Sequence, residues 1–139
     1  TTRLVIGNYV HVGPYTAVIG GLGSKVTMKD FSFMSVRCNV IAGSDNFNES
    51  NLMGPLIPDN VKSITTTEVV FEKFSGLAAN CTVLPGITLG EGSIVCAGST
   101  VTKNTKPWTI YAGSPARPIG KRDKERVIKQ EKMLKEVME

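Results

Sequence analysis

Phe71–Val101, FEKFSG LAANCT VLPGIT LGEGSI VCAGST V, falls into sixes. Each hexad opens on a large apolar residue: Phe71, Leu77, Val83, Leu89, Val95 and Val101. Four positions later comes a mostly small one: Ser75, Cys81, Ile87, Ser93, Ser99. A period of six matches neither the 3.6 of an amphipathic helix nor the alternation of a strand. It suits a solenoid whose coil is a triangle of three six-residue flats, with the large residue pointing inward and the small one easing the turn. Gly90, Gly92 and Gly98 fall near the expected corners, where positive φ is often required.

The same rhythm runs backward toward the N-terminus. Ile6, Val12 and Val18 open three hexads; Met28, Met34 and Val40 open three more, with Ser32 and Cys38 in the small slots. Two interruptions separate these runs: a glycine-rich bulge at Gly20, Gly21 and Gly23, and a long insertion over about 42–67. With three flats per coil, Val12 stacks under Met34 and Val18 under Val40. Both interruptions then leave the solenoid after the same column and lie side by side on one corner. Long insertions of this kind often carry function. Past Val101, Pro107, Pro115 and Pro118 end the repeats in a capping segment, and Asp123 is placed to N-cap a short charged helix with a narrow stripe of Val127, Leu134 and Met138. The expected organisation is one β-solenoid domain over 1–120 and a helical segment over 121–139. Because the helix is marginal alone, it should dock on its own solenoid or on a neighbour. The chain opens at Thr1 and enters the repeat within a few residues, which fits either coils ahead of it or a processed complete protein.

Composition removes several function classes. No apolar run approaches the length of a membrane span. The net charge of +4 is concentrated from Arg117 onward, with eight Lys/Arg against five Asp/Glu there, and aromatics are few. That argues against a nucleic-acid platform. Cys38, Cys81 and Cys96 lack metal-ligand spacing; together with the absence of a charged-then-apolar leader they favour the cytoplasm.

The run LAANCTVLPGITLGEGSIVCAGSTVTKNTKPWTIYAGSPARPI resembles the C-terminal half of the hexapeptide-repeat acyltransferases, with LPGITLG, AGSTVTK and AGSPAR as its signature pieces. NYVHVGPYTAVIGG, GSDNFNES and GPLIP resemble the sugar O- and N-acetyltransferases of surface-polysaccharide pathways. The resemblance implies an all-β solenoid of the left-handed parallel β-helix kind and a homotrimer with clefts between subunits. It also implies acetyl-CoA as acyl donor, a sugar or nucleotide sugar as acceptor, and no catalytic metal. His11, the single histidine, sits beside inward Val12 and so faces outward; the family pattern makes it the general base. Asp45 is the first candidate to orient it and Asp30 the second. Asn46 stands where relatives often carry a second Asp. For the cofactor the resemblance points to Ala79 and Ala97 along the pantetheine arm, with the Ala79 N–H as an oxyanion donor, and to Thr102, Lys103 and Arg117 near the phosphates. Gly76 replaces a tryptophan common in relatives, so a more open wall is expected there. The β-helix also carries zinc carbonic anhydrases, which use several histidines. A non-catalytic assembly module is the alternative to an acetyltransferase.

Overall fold

A computed structural model describes residues 1–138; residue 139, the last of the expected 121–139 segment, lies outside the described residues. The hexads do form flats. Three parallel sheets wind around one axis. The first wall stacks Arg3–Ile6, Lys25–Met28, Glu68–Phe71 and Thr88–Leu89. The second stacks His11–Val12, Phe33–Met34, Gly76–Leu77, Ile94–Val95 and Thr109–Gly113. The third stacks Ala17–Ile19, Asn39–Ile41, Thr82–Val83 and Thr100–Val101. Register follows the stacking count: Val12 pairs with Met34, Val18 with Val40, and His11 with Phe33.

Each wall sends one column of large apolar residues to the axis, and burial of that column drives the coil. Phe71, Met34, Leu77, Val83, Leu89 and Val95 are completely buried, and the small slots Ser32, Cys38, Ser75, Cys81 and Ser93 lie beneath the turns, equally inaccessible. The column opens only at the lowest coil, where Ile6 and Val12 are 50% and 41% exposed. At the other end, Ala116–Lys121 folds back antiparallel on Thr109–Gly113, so the capping segment is a hairpin.

Gly92 and Gly98 hold positive φ at corners as expected, but most corners with positive φ carry a side chain. Tyr9, Phe31, Phe74 and Trp108 all hold positive φ, and so do Tyr15, Arg37 and Asn80. The first four, with Gly92, occupy one column, each three residues before an inward residue of the second wall. A side chain there costs about 1–2 kcal/mol of backbone strain. Stacking offsets part of it: ring centroids lie 4.8 Å apart for Tyr9–Phe31, 5.3 Å for Phe31–Phe74 and 5.8 Å for Phe74–Trp108. Gly92 is required because a Cβ would meet the Trp108 ring at 2.4 Å. Gly90, in contrast, needs no positive φ; its place is set by Thr105 O, 2.5 Å from a would-be Cβ.

The insertion has more order than a loop. Ala42 O receives both the N–H and the hydroxyl of Thr67 at 2.8 Å, closing its base at the expected limits. Gly43–Asp45 and Ile64–Thr66 then form an antiparallel ribbon, and Asp59–Val61 a 3-10 turn. The glycine bulge packs against the ribbon, where a Cβ on Gly43 would come within 3.3 Å of the Gly20 Cα.

The helix spans Lys124–Met138, and Asp123 Oδ1 accepts the Arg126 N–H at 3.1 Å as its cap. It docks on its own solenoid along the aromatic corner. Val127 and Leu134 border a hollow with Phe31, Phe33 and Phe74, and Glu131, whose side chain is only 10% exposed, pairs with Lys73 at 2.6 Å. Among the described residues no helix is long and apolar enough to cross a membrane.

Candidate functional site

Asp45 ends the inbound strand of the ribbon, and local bonding fixes its carboxylate. Oδ2 accepts the Gly54 N–H at 2.6 Å, and Oδ1 lies 3.1 Å from Lys62 Nζ. The Gly54 N–H and the Lys62 ammonium hold this carboxyl below the usual carboxylate range. Asp45 also borders a cleft of about 360 Å³ between ribbon and third wall, lined by Ile41, Asn46, Phe47, Leu84, Pro85 and Thr102. Ile41 and Leu84 are there because they follow inward Val40 and Val83 and so face out. Thr102 continues their column one coil higher, and Lys103 follows it, exposed. An expected cofactor residue and an expected catalytic carboxylate thus share one cleft.

Ala79 and Ala97 lie on the other corner of the third wall, stacked through a Gly98 N–H to Ala79 O bond of 2.9 Å. The N–H groups flanking Ala79, on Ala78 and Asn80, donate to Val95 O and Val36 O. Among the described residues the Ala79 N–H has no such partner, as an oxyanion donor requires. Arg117 stands opposite Ala112 on the returning strand, exposed. Burial pushes the Cys38 and Cys81 thiols up from their ordinary range, as suits small core residues.

The expected pairing of His11 with Asp45 is not formed within the chain. His11 lies exposed on the second wall in the lowest coil, whereas Asp45 is held by Gly54 and Lys62 beyond the end of the third. Asp30 does not orient His11 either: its Oδ1 accepts the Asn8 N–H at 2.8 Å. The open wall expected at Gly76 is also corrected. The Phe33 ring lies over Gly76, 2.2 to 2.5 Å from where a Cβ would be, and the helix borders Phe33.

Two functional-looking residues had escaped notice. Lys62 ties down Asp45 from inside the insertion; a lysine just before a strand carries no signal of burial. Arg122, counted among the tail charges, bonds Phe74 O at 2.7 Å and Gly92 O at 3.2 Å and lies over the Trp108 ring. Counting back three from each inward residue would have exposed that corner column.

No protein-family profile matches the chain. Among solved structures, AntD, an N-acyltransferase from Bacillus cereus in complex with dTDP and 3-hydroxybutyryl-CoA, superposes with a TM-score of 0.90. It is 35% identical, over 99% of this chain and 73% of AntD. The chain belongs to the hexapeptide-repeat acyltransferases. Membership gives the solenoid its left-handed sense, which pairing and period alone leave open. Among curated hexapeptide-repeat relatives, a dTDP-4-amino-4,6-dideoxy-D-glucose acyltransferase of Escherichia coli is 29% identical over 119 residues, 86% of this chain and 61% of the relative. The putative lipopolysaccharide biosynthesis O-acetyl transferase WbbJ of Escherichia coli K12 is 29% identical over 120 residues, 84% of this chain and 56% of its own length. The chain therefore spans about three-fifths of these curated relatives. Among the described residues no group of three or more His, Cys, Asp or Glu side chains comes together in a metal-binding arrangement.

Proposed function

We propose that the chain transfers an acyl group, acetyl or a close homologue, from coenzyme A to the amine of a nucleotide-linked sugar, with a sugar hydroxyl as the second acceptor class. The observation that carries this is Asp45: a carboxylate held by the Gly54 N–H and the Lys62 ammonium, in a residue that borders the cleft. A charged carboxylate suits an ammonium group before it suits an alcohol. AntD supports the reading. It has been solved with dTDP-4-amino-4,6-dideoxyglucose and coenzyme A, and in variants of a serine and an aspartate ten positions apart. This chain has one Ser–Asp pair at that spacing, Ser35 and Asp45. The acceptor WbbJ acts on keeps the hydroxyl in play.

The chemistry needs few parts. The acceptor ammonium gives up one proton to the base or to solvent, and the neutral nitrogen attacks the thioester carbonyl; a C–N bond forms, the C–S bond breaks, and the thiolate leaves with the proton that the nitrogen sheds on becoming an amide. Asp45 binds the acceptor's ammonium and orients the amine. The Ala79 N–H is assigned to the carbonyl oxygen as negative charge develops there. Ala97 leaves room for the pantetheine arm, and Thr102, Lys103 and Arg117 serve the phosphate end.

His11 acts as base only if another copy brings it to the cleft, because its own chain holds it on a different wall. We therefore assign the working unit to a homotrimer in which the second wall of one chain faces the third wall of the next. Three free cysteines fit a reducing, cytoplasmic compartment. The test is thiol release from acetyl-CoA across amino sugars, neutral sugars and their dTDP conjugates. Release with a dTDP-amino sugar and little with its hydroxyl analogue is expected. Absence of release together with absence of acetyl-CoA binding would favour an assembly module instead.

A further inference from the structure

Lys62 is unlike the other lysines that form ion pairs. Its side chain is 7% exposed, whereas those of Lys25, Lys29, Lys73 and Lys135 are 38%, 50%, 35% and 61% exposed. Burying an ammonium costs several kcal/mol unless its donors are satisfied. Lys62 Nζ meets that demand with Asp45 Oδ1 at 3.1 Å, the Gly54 carbonyl at 2.9 Å and, more distantly, Asp59 at 3.7 Å. The Gly54 peptide serves both sides of the pair, its N–H on Asp45 and its carbonyl on Lys62. Gly54 holds φ of +105°, a conformation few other residues adopt.

Asp45 borders two hollows, the cleft shared with Thr102 and a smaller depression lined by Gly20, Gly43 and Pro55. Lys62 lines only the second. Each Asp45 oxygen spends one lone pair on this grip and keeps another for an acceptor. Among the described residues Lys62 is the one charged side chain that forms an ion pair with Asp45, and Asp59 lies beyond it on the same ammonium.

We propose that Lys62 is a positioning residue: anchored by the Gly54 carbonyl, it aims the Asp45 carboxylate into the cleft and keeps it charged for a cationic, amine-bearing acceptor. This rests on the reading of Asp45 as the acceptor-facing group. A lysine that only stiffened the ribbon would change melting temperature and the Asp45 titration but leave the acid limb of kcat/KM where it is. The Gly54 N–H first, and Lys62 after it, hold that carboxyl below its ordinary range.

The test is the carbon-13 titration of the Asp45 carboxyl in the whole chain, run beside the pH profile of kcat/KM with a dTDP-amino sugar. Wild type, Lys62→Met and Lys62→Arg are compared. In Lys62→Met the carboxyl should titrate at higher pH, and the acid limb of kcat/KM should move upward with it. Lys62→Arg should restore both, and acetyl-CoA affinity should be unchanged in all three. If Lys62→Met does not fold, Lys62→Gln, which keeps a donor for the Gly54 carbonyl without the charge, carries the same expectations. An Asp45 titration unchanged by loss of the Lys62 charge overturns the proposal. A moved titration with an unmoved acid limb leaves the coupling intact and overturns Asp45 as the acceptor-facing group.

Discussion

Replacing Arg122 with alanine should loosen the whole aromatic corner. The Arg122 guanidinium bonds Phe74 O at 2.7 Å and Gly92 O at 3.2 Å, while its backbone N–H bonds Trp108 O at 2.9 Å. These three carbonyls belong to successive coils of one column, so a single residue straps three coils together. A hydrogen bond to a charged donor contributes about 1.5–3 kcal/mol. The site is half-buried, water can replace part of each bond, and about 1 kcal/mol apiece is the fairer figure. The guanidinium lies 5.7 Å from the Trp108 centroid, adding about 0.5–1 kcal/mol. The expected loss is therefore about 2–3 kcal/mol. Arg122→Lys should recover about half: an ammonium can also donate to both carbonyls, as the single Nη1 does here, but it is more strongly hydrated and lacks the planar face that lies over the Trp108 ring. Trp108 is the only tryptophan and lies under the residue replaced, so its fluorescence in urea, with far-UV circular dichroism at fixed protein concentration, reads the effect. A loss below about 0.5 kcal/mol, or full recovery with lysine, would refute the strap.

Three further outcomes are expected. His11→Ala should lower turnover by roughly 10²–10⁴-fold and leave acetyl-CoA affinity nearly unchanged; near-normal turnover in steady-state assays would remove His11 from the chemistry. Gly76→Ala should destabilise by about 1–3 kcal/mol through collision with the Phe33 ring. The loss should shrink in a Phe33→Leu background, and a double-mutant cycle with no coupling would contradict that contact. Asp45 and Glu68 both titrate below their ordinary range, Asp45 through the Gly54 N–H and Lys62, Glu68 through the Thr27 hydroxyl and Lys25. Their contribution is complete above the unfolded carboxylate range, near pH 4, and is lost as pH falls through the folded values. Acid titration of the urea midpoint should show this fall, and Asp45→Asn should make it shallower.

The period of six was legible because it records an inward column, one large side chain per flat from Ile6 to Val101, buried in every coil above the lowest. Stacking arithmetic then carried farther than local propensity could. It placed His11 under Phe33 and both insertions on one corner, and the Ala42–Thr67 closure falls where the rhythm stops. What stayed hidden depends on side chains crossing between coils or rejoining after a long detour. Gly76 looked like an absence, but the space belongs to the ring one coil below. Lys62 and Asp45 are seventeen positions apart within an insertion that has no period, so nothing in the order of residues pairs them. Within one chain His11 does not meet Asp45 for a similar reason: adjacency to one corner does not bring the side chains together, and the carboxylate's partners come from the insertion itself.

The most direct test of the account compares wild type with Asp45→Asn, measuring acyl transfer from acetyl-CoA to dTDP-4-amino-4,6-dideoxyglucose and acetyl-CoA binding on the same preparations. Asparagine keeps the size and can still accept from the Gly54 N–H, but removes the charge that faces the acceptor. The account predicts a loss in kcat/KM of roughly 10²-fold or more with acetyl-CoA binding intact. Equal transfer by both proteins, or none by a wild-type chain that binds acetyl-CoA normally, would contradict it.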